Sequence, residues 1–299
     1  MTAPRIVCCG IAVLDQAWDL PALPLVPGKY VAGGLRVVGG GMAATAAVAV
    51  AKLGGRSAWC GRLGADAAGF TLREGLRRHD VDLSGVTIAR DGRSPTSALL
   101  VDPEGERILA VFPGEGLPDD APVPASLVDD AAAVLADPRW VGGAERLFAL
   151  AAARGLPRVL DADIAPRESL QRLAALADHV VFSQRGLVAF SGEADAARGL
   201  AMAASLLSGT LGVTLGAEGS LWWRDGTVVP VGTPRVAARD TTGCGDVFHG
   251  AYALAIAEGA PVLRAARFAA AAAALKAANG NGWDGMPDRA AVEAMLSAW

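Results

Sequence analysis

Residues 235–254 read Arg-Val-Ala-Ala-Arg-Asp-Thr-Thr-Gly-Cys-Gly-Asp-Val-Phe-His-Gly-Ala-Tyr-Ala-Leu. A short apolar stretch ends at Asp240-Thr241-Thr242, turns through Gly243-Cys244-Gly245 and enters an Ala-rich helical pattern at Asp246. Two glycines around one small residue let backbone N–H groups turn toward a common point. The helix that follows adds its unpaired first-turn amides and the positive end of its dipole. Such a site suits a phosphate or another oxyanion. A carboxylate beside it, at Asp246, can take a proton from a hydroxyl attacking that phosphate. An acid there also stabilises a helix N-terminus without any chemistry.

Cys244 admits two readings. A thiol at a helix N-terminus is expected to have a lowered pKa and to act as a nucleophile, which requires a general base and an orienting group. His249 is the nearest imidazole, and five helical positions, about 500° of rotation, put it on another face. In the other reading, which we favour, cysteine serves as a small apolar residue in a tight turn.

Outward from this turn, the chain alternates strands and helices. Apolar runs at 6–14, 57–61, 133–136, 158–161, 179–183 and 212–215 read as strands. Between them, helical patterns run at 43–53, 67–79, 143–154, 169–177 and 194–208. This rhythm predicts an α/β fold, a three-layer structure with a mainly parallel sheet and helices on both faces. Ligands in such folds bind beyond the carboxyl ends of strands, where Asp15, Asp137, Asp161, Gly216 and Asp240 are expected.

Two segments break the rhythm. Residues 18–37 are rich in proline and glycine, and residues 94–112 alternate, turn at Asp102-Pro103-Glu104-Gly105 and return, the pattern of a hairpin. They predict a small sheet from 16–38 and 93–112, standing off a main domain of 1–15, 39–92 and 113–299. Such a sheet can close over a site as a lid or meet its counterpart in a homodimer.

With 299 residues, 52% hydrophobic and 19% charged, the chain is expected to be well packed, with one main domain and an appendage. A net charge of −4 and the lack of a Lys/Arg block argue against a nucleic-acid partner. Four cysteines without a Cys-x-x-Cys pair suit a reducing, cytoplasmic setting, and His79, His179 and His249 offer no zinc spacing. The run at 6–14 lacks a cleavage site and reads as a first strand, and the Ala-rich 265–278 is too short to span a bilayer. No Gly-x-x-x-x-Gly-Lys-Ser/Thr occurs, and no Gly-x-Gly-x-x-Gly follows the first strand, which weighs against a nicotinamide-dependent oxidoreductase.

Asp-Thr-Thr-Gly-Cys-Gly-Asp resembles the Asp-Thr-x-Gly-Ala-Gly-Asp signature of the ribokinase-like (PfkB) carbohydrate kinases, with cysteine where alanine is usual. The resemblance runs from Asp15 to the Asn279-Gly280-Asn281-Gly282 loop. It implies that Asp246 is the base and that Gly243, Cys244 and Gly245 form the anion hole. It also implies that Thr214, Gly216 and Gly219, in Val-Thr-x-Gly-x-x-Gly, lie along ATP together with Asn279. Asp15, Gly40 and Gly41 are implied to hold sugar hydroxyls. Thr45 stands where the family has a sugar-binding asparagine. The family's Asn-x-x-Glu, which organises Mg²⁺, is here Ser183-Gln184-Arg185-Gly186. Mg²⁺ is still expected, reached through Asp161, Asp163 or water alone, and its protein ligands stay open.

Within the family, the pattern is most similar to the kinases of 6-deoxy-6-sulfofructose. The similarity rests on Pro27-Gly28-Lys29-Tyr30-Val31-Ala32, the Val38–Thr45 run, Leu135-Ala136-Asp137-x-Arg139-Trp140 and Gly243–Gly250. It implies a sulfonate held by Lys29 and Arg139, the latter offering a bidentate fork. Val111 stands where that subgroup has an anion-binding asparagine. Fructose 6-phosphate, fructose and ribose remain alternative substrates, and a non-catalytic sugar or nucleotide sensor remains an alternative role.

Overall fold

The structure is a computed structural model that describes residues 2–104 and 106–299. Nine strands form one sheet in the order β13-β12-β11-β10-β9-β8-β1-β4-β5. These are β1 (Arg5–Cys9), β4 (Arg56–Gly64), β5 (Val81–Ala89), β8 (Ala133–Ala136), β9 (Arg158–Ala162), β10 (His179–Ser183), β11 (Thr210–Thr214), β12 (Ser220–Arg224) and β13 (Thr227–Val231). From β11 to β5 every pairing is parallel, and β12 and β13 add an antiparallel edge. The central strands read as continuous apolar runs because both of their faces are covered; β1 and β8 are buried at every position.

The two faces carry separate cores. On one, α1 (Met42–Lys52), α2 (Ala67–Arg78), α7 (Cys244–Ala257), α8 (Val262–Asn279) and α9 (Arg289–Ala298) close over Ile6, Cys8, Trp59 and Trp222. On the other, α3 (Val141–Ala152), α4 (Arg167–Ala174), α5 (Gln184–Ser191) and α6 (Ala196–Leu206) close over Val7, Val134, Leu160 and Phe182. Alanine at ten of the 18 positions of α8, and at alternate positions from Ala251 to Ala257 of α7, lets these helices pack closely with little side-chain entropy to lose. None of the described helices is long and apolar enough to cross a membrane.

A second sheet has the order β3-β2-β6-β7, from β2 (Val13–Asp19), β3 (Gly34–Gly40), β6 (Thr96–Val101) and β7 (Arg107–Phe112). The hairpin pairs Thr96 with Phe112 and Val101 with Arg107, as the alternation predicts. Beside it, β2 pairs antiparallel with β3 and parallel with β6.

The run at 6–14 is not one strand. It breaks at 10–12, leaving β1 in the large sheet and starting β2 in the small one. The cause is the buried Asp137, whose Oδ2 accepts from the Ile11 and Ala43 amides at 2.9 and 3.0 Å. A side chain on Gly10, which has φ +153°, would collide with that carboxylate. Two expected strand-end positions also move. Asp15 lies inside β2, and Asp240 lies in an irregular segment, since 232–241 forms neither helix nor strand. The stretch at 183–186 starts α5, with Ser183 Oγ capping the Gly186 amide at 2.9 Å.

Candidate active site

One cavity of about 550 Å³ is lined by the small sheet, the 238–243 segment, the start of α7 and the 281–286 loop. Its chemical end is the turn before α7. Gly243 caps the helix at φ +77°, and the turn is held by Cys244 N–H donating to Thr241 O at 3.3 Å. The amides of Gly245 and Asp246 lack intrahelical acceptors by their position. Gly245 is exposed, and a side chain there would meet nothing within 4 Å, so the bend opens outward. Asp246 is half-buried and lines the cavity. Burial, reinforced by the charge of Asp161, holds its carboxyl well above the ordinary range. A carboxylate so placed is a stronger base than a solvated one.

The nucleophile reading of Cys244 fails. Burial pushes its thiol up to about 11, which removes the thiolate. Its Sγ faces the Asp240 carbonyl at 3.9 Å. His249 is buried with Nδ1 2.7 Å from Gly245 O and 3.2 Å from Asp161 Oδ2, and Nε2 3.1 Å from Val181 O, so its ring is held within the fold, away from the Cys244 thiol's face.

The opposite end is built on β2, β3 and α1. Ser97 Oγ donates to Asp15 Oδ1, and burial raises the Asp15 carboxyl. Asp15 Oδ2 lies against Gly40, where a side chain would collide with it. Gly41 has φ +93°, and a Cβ there would stand 2.6 Å from both Ala12 Cα and Ile11 O. These glycines thus keep bare backbone beside the carboxylate. Buried Thr45 lines the same cavity, and its Oγ1 accepts from Trp283 Nε1 at 3.0 Å.

Asp15, Gly40, Gly41, Thr45, Gly243 and Asp246 therefore share one cavity, while the other expected residues do not line it. Lys29 is exposed in the segment between β2 and β3. The Arg139 guanidinium donates to Ile164 O at 2.8 Å and to Asp163 Oδ2 at 3.0 Å, so it is committed to the protein. Thr214 ends β11 with Oγ1 3.4 Å from Phe182 O, Gly216 and Gly219 form the turn into β12, and the Asn279 amide donates to Gly285 O at 3.0 Å.

Sequence reasoning missed the cavity's cations. Arg36 lines it from β3, paired with Asp19 at 2.8 Å, and Arg107 reaches from β7 to donate to Thr242 Oγ1 at 2.7 Å. Lys276 lines it from α8. The signal available was β-alternation, which points Arg36 and Arg107 off their strands, but not toward which neighbour.

Among the described residues, no three His, Cys, Asp or Glu side chains gather as a metal-ligating group. Asp163 Oδ1 accepts from Ser183 Oγ at 2.7 Å, and Asp161 Oδ2 is buried without a hydrogen-bond donor. This donor set fits a metal carried by phosphate oxygens and water better than one caged by protein.

Residues 3–289 match the family described as pfkB family carbohydrate kinase. The chain belongs to the PfkB carbohydrate kinase family. Relatives of this kinase include the fructokinase of Klebsiella pneumoniae, 33% identical over 70% of this chain and 74% of that one. Among solved structures, a protein of Agrobacterium tumefaciens provisionally assigned as a ribokinase superposes with TM-score 0.95 at 34% identity, covering 99% of this chain and 98% of that one. The ribokinase of Arabidopsis thaliana, solved with ribose and ATP, gives 0.86 at 25% identity over 99% of both chains. The large parallel sheet with its separate small sheet is the ribokinase-like fold, and the protein is an ATP-dependent carbohydrate kinase. Mg²⁺ is the usual companion of the nucleotide in such transfers.

Proposed function

We propose that the kinase phosphorylates a hydroxyl of a small ketose, with 6-deoxy-6-sulfofructose converted to its 1-phosphate as the leading assignment. The observation that carries the reading is the meeting of Asp15, beside bare backbone, and Asp246, beside an open anion turn, in one cavity. Asp15 and the Gly40–Gly41 backbone hold sugar hydroxyls. The Gly245 and Asp246 amides, left free where Gly243 caps α7, and the helix dipole attract the charge of the transferred group. Bound ATP supplies the phosphoryl group. The sugar oxygen attacks the γ-phosphorus in line as its bond to the bridging oxygen breaks and ADP leaves, and Asp246 takes the hydroxyl proton late, when the new bond to phosphorus is forming.

An anionic C6 is supported by Arg36 and Arg107, which bring positive charge into the cavity from the small sheet. In this reading they replace Lys29 and Arg139 as the sulfonate contacts. A neutral ketose, or ribose, is the second reading, favoured by Val111 and by the ties that keep Arg139 out of the cavity. The fructokinase and ribokinase names of the relatives agree with it. ADP release measured over sulfofructose, fructose 6-phosphate, fructose and ribose separates the readings. Sulfofructose should give the largest kcat/KM. A fructose or ribose preference of tenfold or more would reverse the assignment, and silence with every sugar would favour a sensor.

We also infer that the small sheet serves as a lid and as a homodimer contact. Arg107 already bridges that sheet to the anion turn, and Ile108, Leu109 and Val111 of the edge strand β7 are all exposed. An unpaired apolar edge is a ready partner for a second copy. Light scattering that gives a monomer at micromolar concentration would remove the dimer.

A further inference from the structure

Near the end of α8, Lys276 is only 1% exposed, and its Nζ has no hydrogen-bond acceptor from the protein. The one carboxylate within ion-pair range among the described residues is Asp240, at 4.0 Å, too far for a hydrogen bond. Lysine is rarely buried without a close partner, because removing an ammonium from water costs more than a distant charge returns. The buried residues around it on α8 are alanine and Phe268, so packing alone asks for no charge there.

What lies against this cation is the anion turn. The Arg239 and Asp240 amides both donate to Ala277 O, at 2.8 and 3.2 Å, which ties the segment before the turn to the helix position next to Lys276. Asp240 Oδ1 in turn accepts from the Thr242 amide at 2.8 Å. A continuous set of contacts thus runs from Lys276 through Asp240 and Thr242 to Gly243. Asp240 and Asp246 stand on either side of the turn in the cavity, while Arg36 and Arg107 reach in from the small sheet, so a phosphate at the turn meets like charges on the α7 side.

Building on membership of the kinase family, we propose that Lys276 is a positioning residue for phosphoryl transfer. It is a built-in cation behind the turn that holds residues 240–243 in shape through Asp240. Its charge offsets part of the negative charge that gathers at the turn as the phosphoryl group passes. Stability is given up for this, as at other preorganised sites.

The test is Lys276→Met, which keeps length and packing and removes the charge. Its melting temperature should equal or exceed that of the wild type, while kcat falls on the order of 10²-fold and the sugar KM changes less than threefold. Lys276→Ala should regain at least fivefold in kcat with ethylammonium chloride, and none with sodium chloride at equal ionic strength. A K276M kcat within threefold of wild type overturns the proposal. So does a lowered melting temperature without amine rescue in K276A, which would mark a purely structural lysine. If K276M does not fold, the amine rescue of K276A decides alone. Wild-type protein silent on every sugar would instead overturn the kinase reading itself, and this inference with it.

Discussion

The cavity wall built on α7 and α8 is backed by the packed core, whereas the small-sheet wall has a face open to solvent. Behind Asp246, the residues of α7 from Val247 to Ala255 are all buried. Across from it, Leu109 and Val111 of β7 are 54% and 55% exposed. The first wall carries the glycine turn and Asp246, and the second carries Arg36, Arg107 and the face of Asp15. Preorganised groups gain most from a rigid support, while recognition tolerates a thinner one. The division predicts that substitutions behind the turn lower kcat and substitutions in the small sheet raise KM.

The largest effect should come from Asp246→Asn, which keeps shape and removes the base. Steady-state assays should show kcat reduced on the order of 10³-fold with an unchanged melting curve. Next is Gly41→Ala, where a forbidden φ and a clash with 11–12 combine. Denaturant melts should show a loss of about 3 kcal/mol. Arg107→Ala then probes the thin wall. It should raise KM for sulfofructose about 10- to 100-fold, the worth of one to two charge-assisted hydrogen bonds, and for fructose less than threefold. Arg139→Ala should change neither KM more than threefold, and if instead it matches Arg107→Ala, the two arginines have been assigned the wrong roles.

The smallest effect is a pH dependence. Burial raises Asp137 to about 6, against an unfolded value of about 4. Between those values the unfolded chain sheds this proton while the folded chain keeps it. The group therefore disfavours folding progressively as pH rises from about 4 to about 6, and no further above that. Asp137→Asn should flatten that part of the stability profile in urea melts at stepped pH.

Much of this was legible in the residues. The hairpin at 94–112 announced itself by alternation around Asp-Pro-Glu-Gly, and the turn into α7 by two glycines before a helical pattern. The break at Gly10 was not legible. Local hydrophobicity runs through it, and the residue that forces it, Asp137, lies far along the chain. The same limit explains the misplaced cations. Arg139 stood in a promising loop, but its commitment to Asp163 and Ile164 is a tertiary fact. Arg107 looked like an ordinary strand residue until folding brought Thr242 to it. Asp15, Gly40 and Gly41 could be paired only by resemblance, because their meeting depends on the register of β2 with β3.

The central claim is geometric, and a planar analogue of the transferred group tests it most directly. Crystals grown with ADP, Mg²⁺, aluminium fluoride and the best sugar should place the fluoride against the Gly245 and Asp246 amides. The sugar oxygen facing it should lie about 2.6–3.2 Å from the Asp246 carboxylate. A fluoride seated elsewhere, with Asp246 turned from the sugar, would contradict the account.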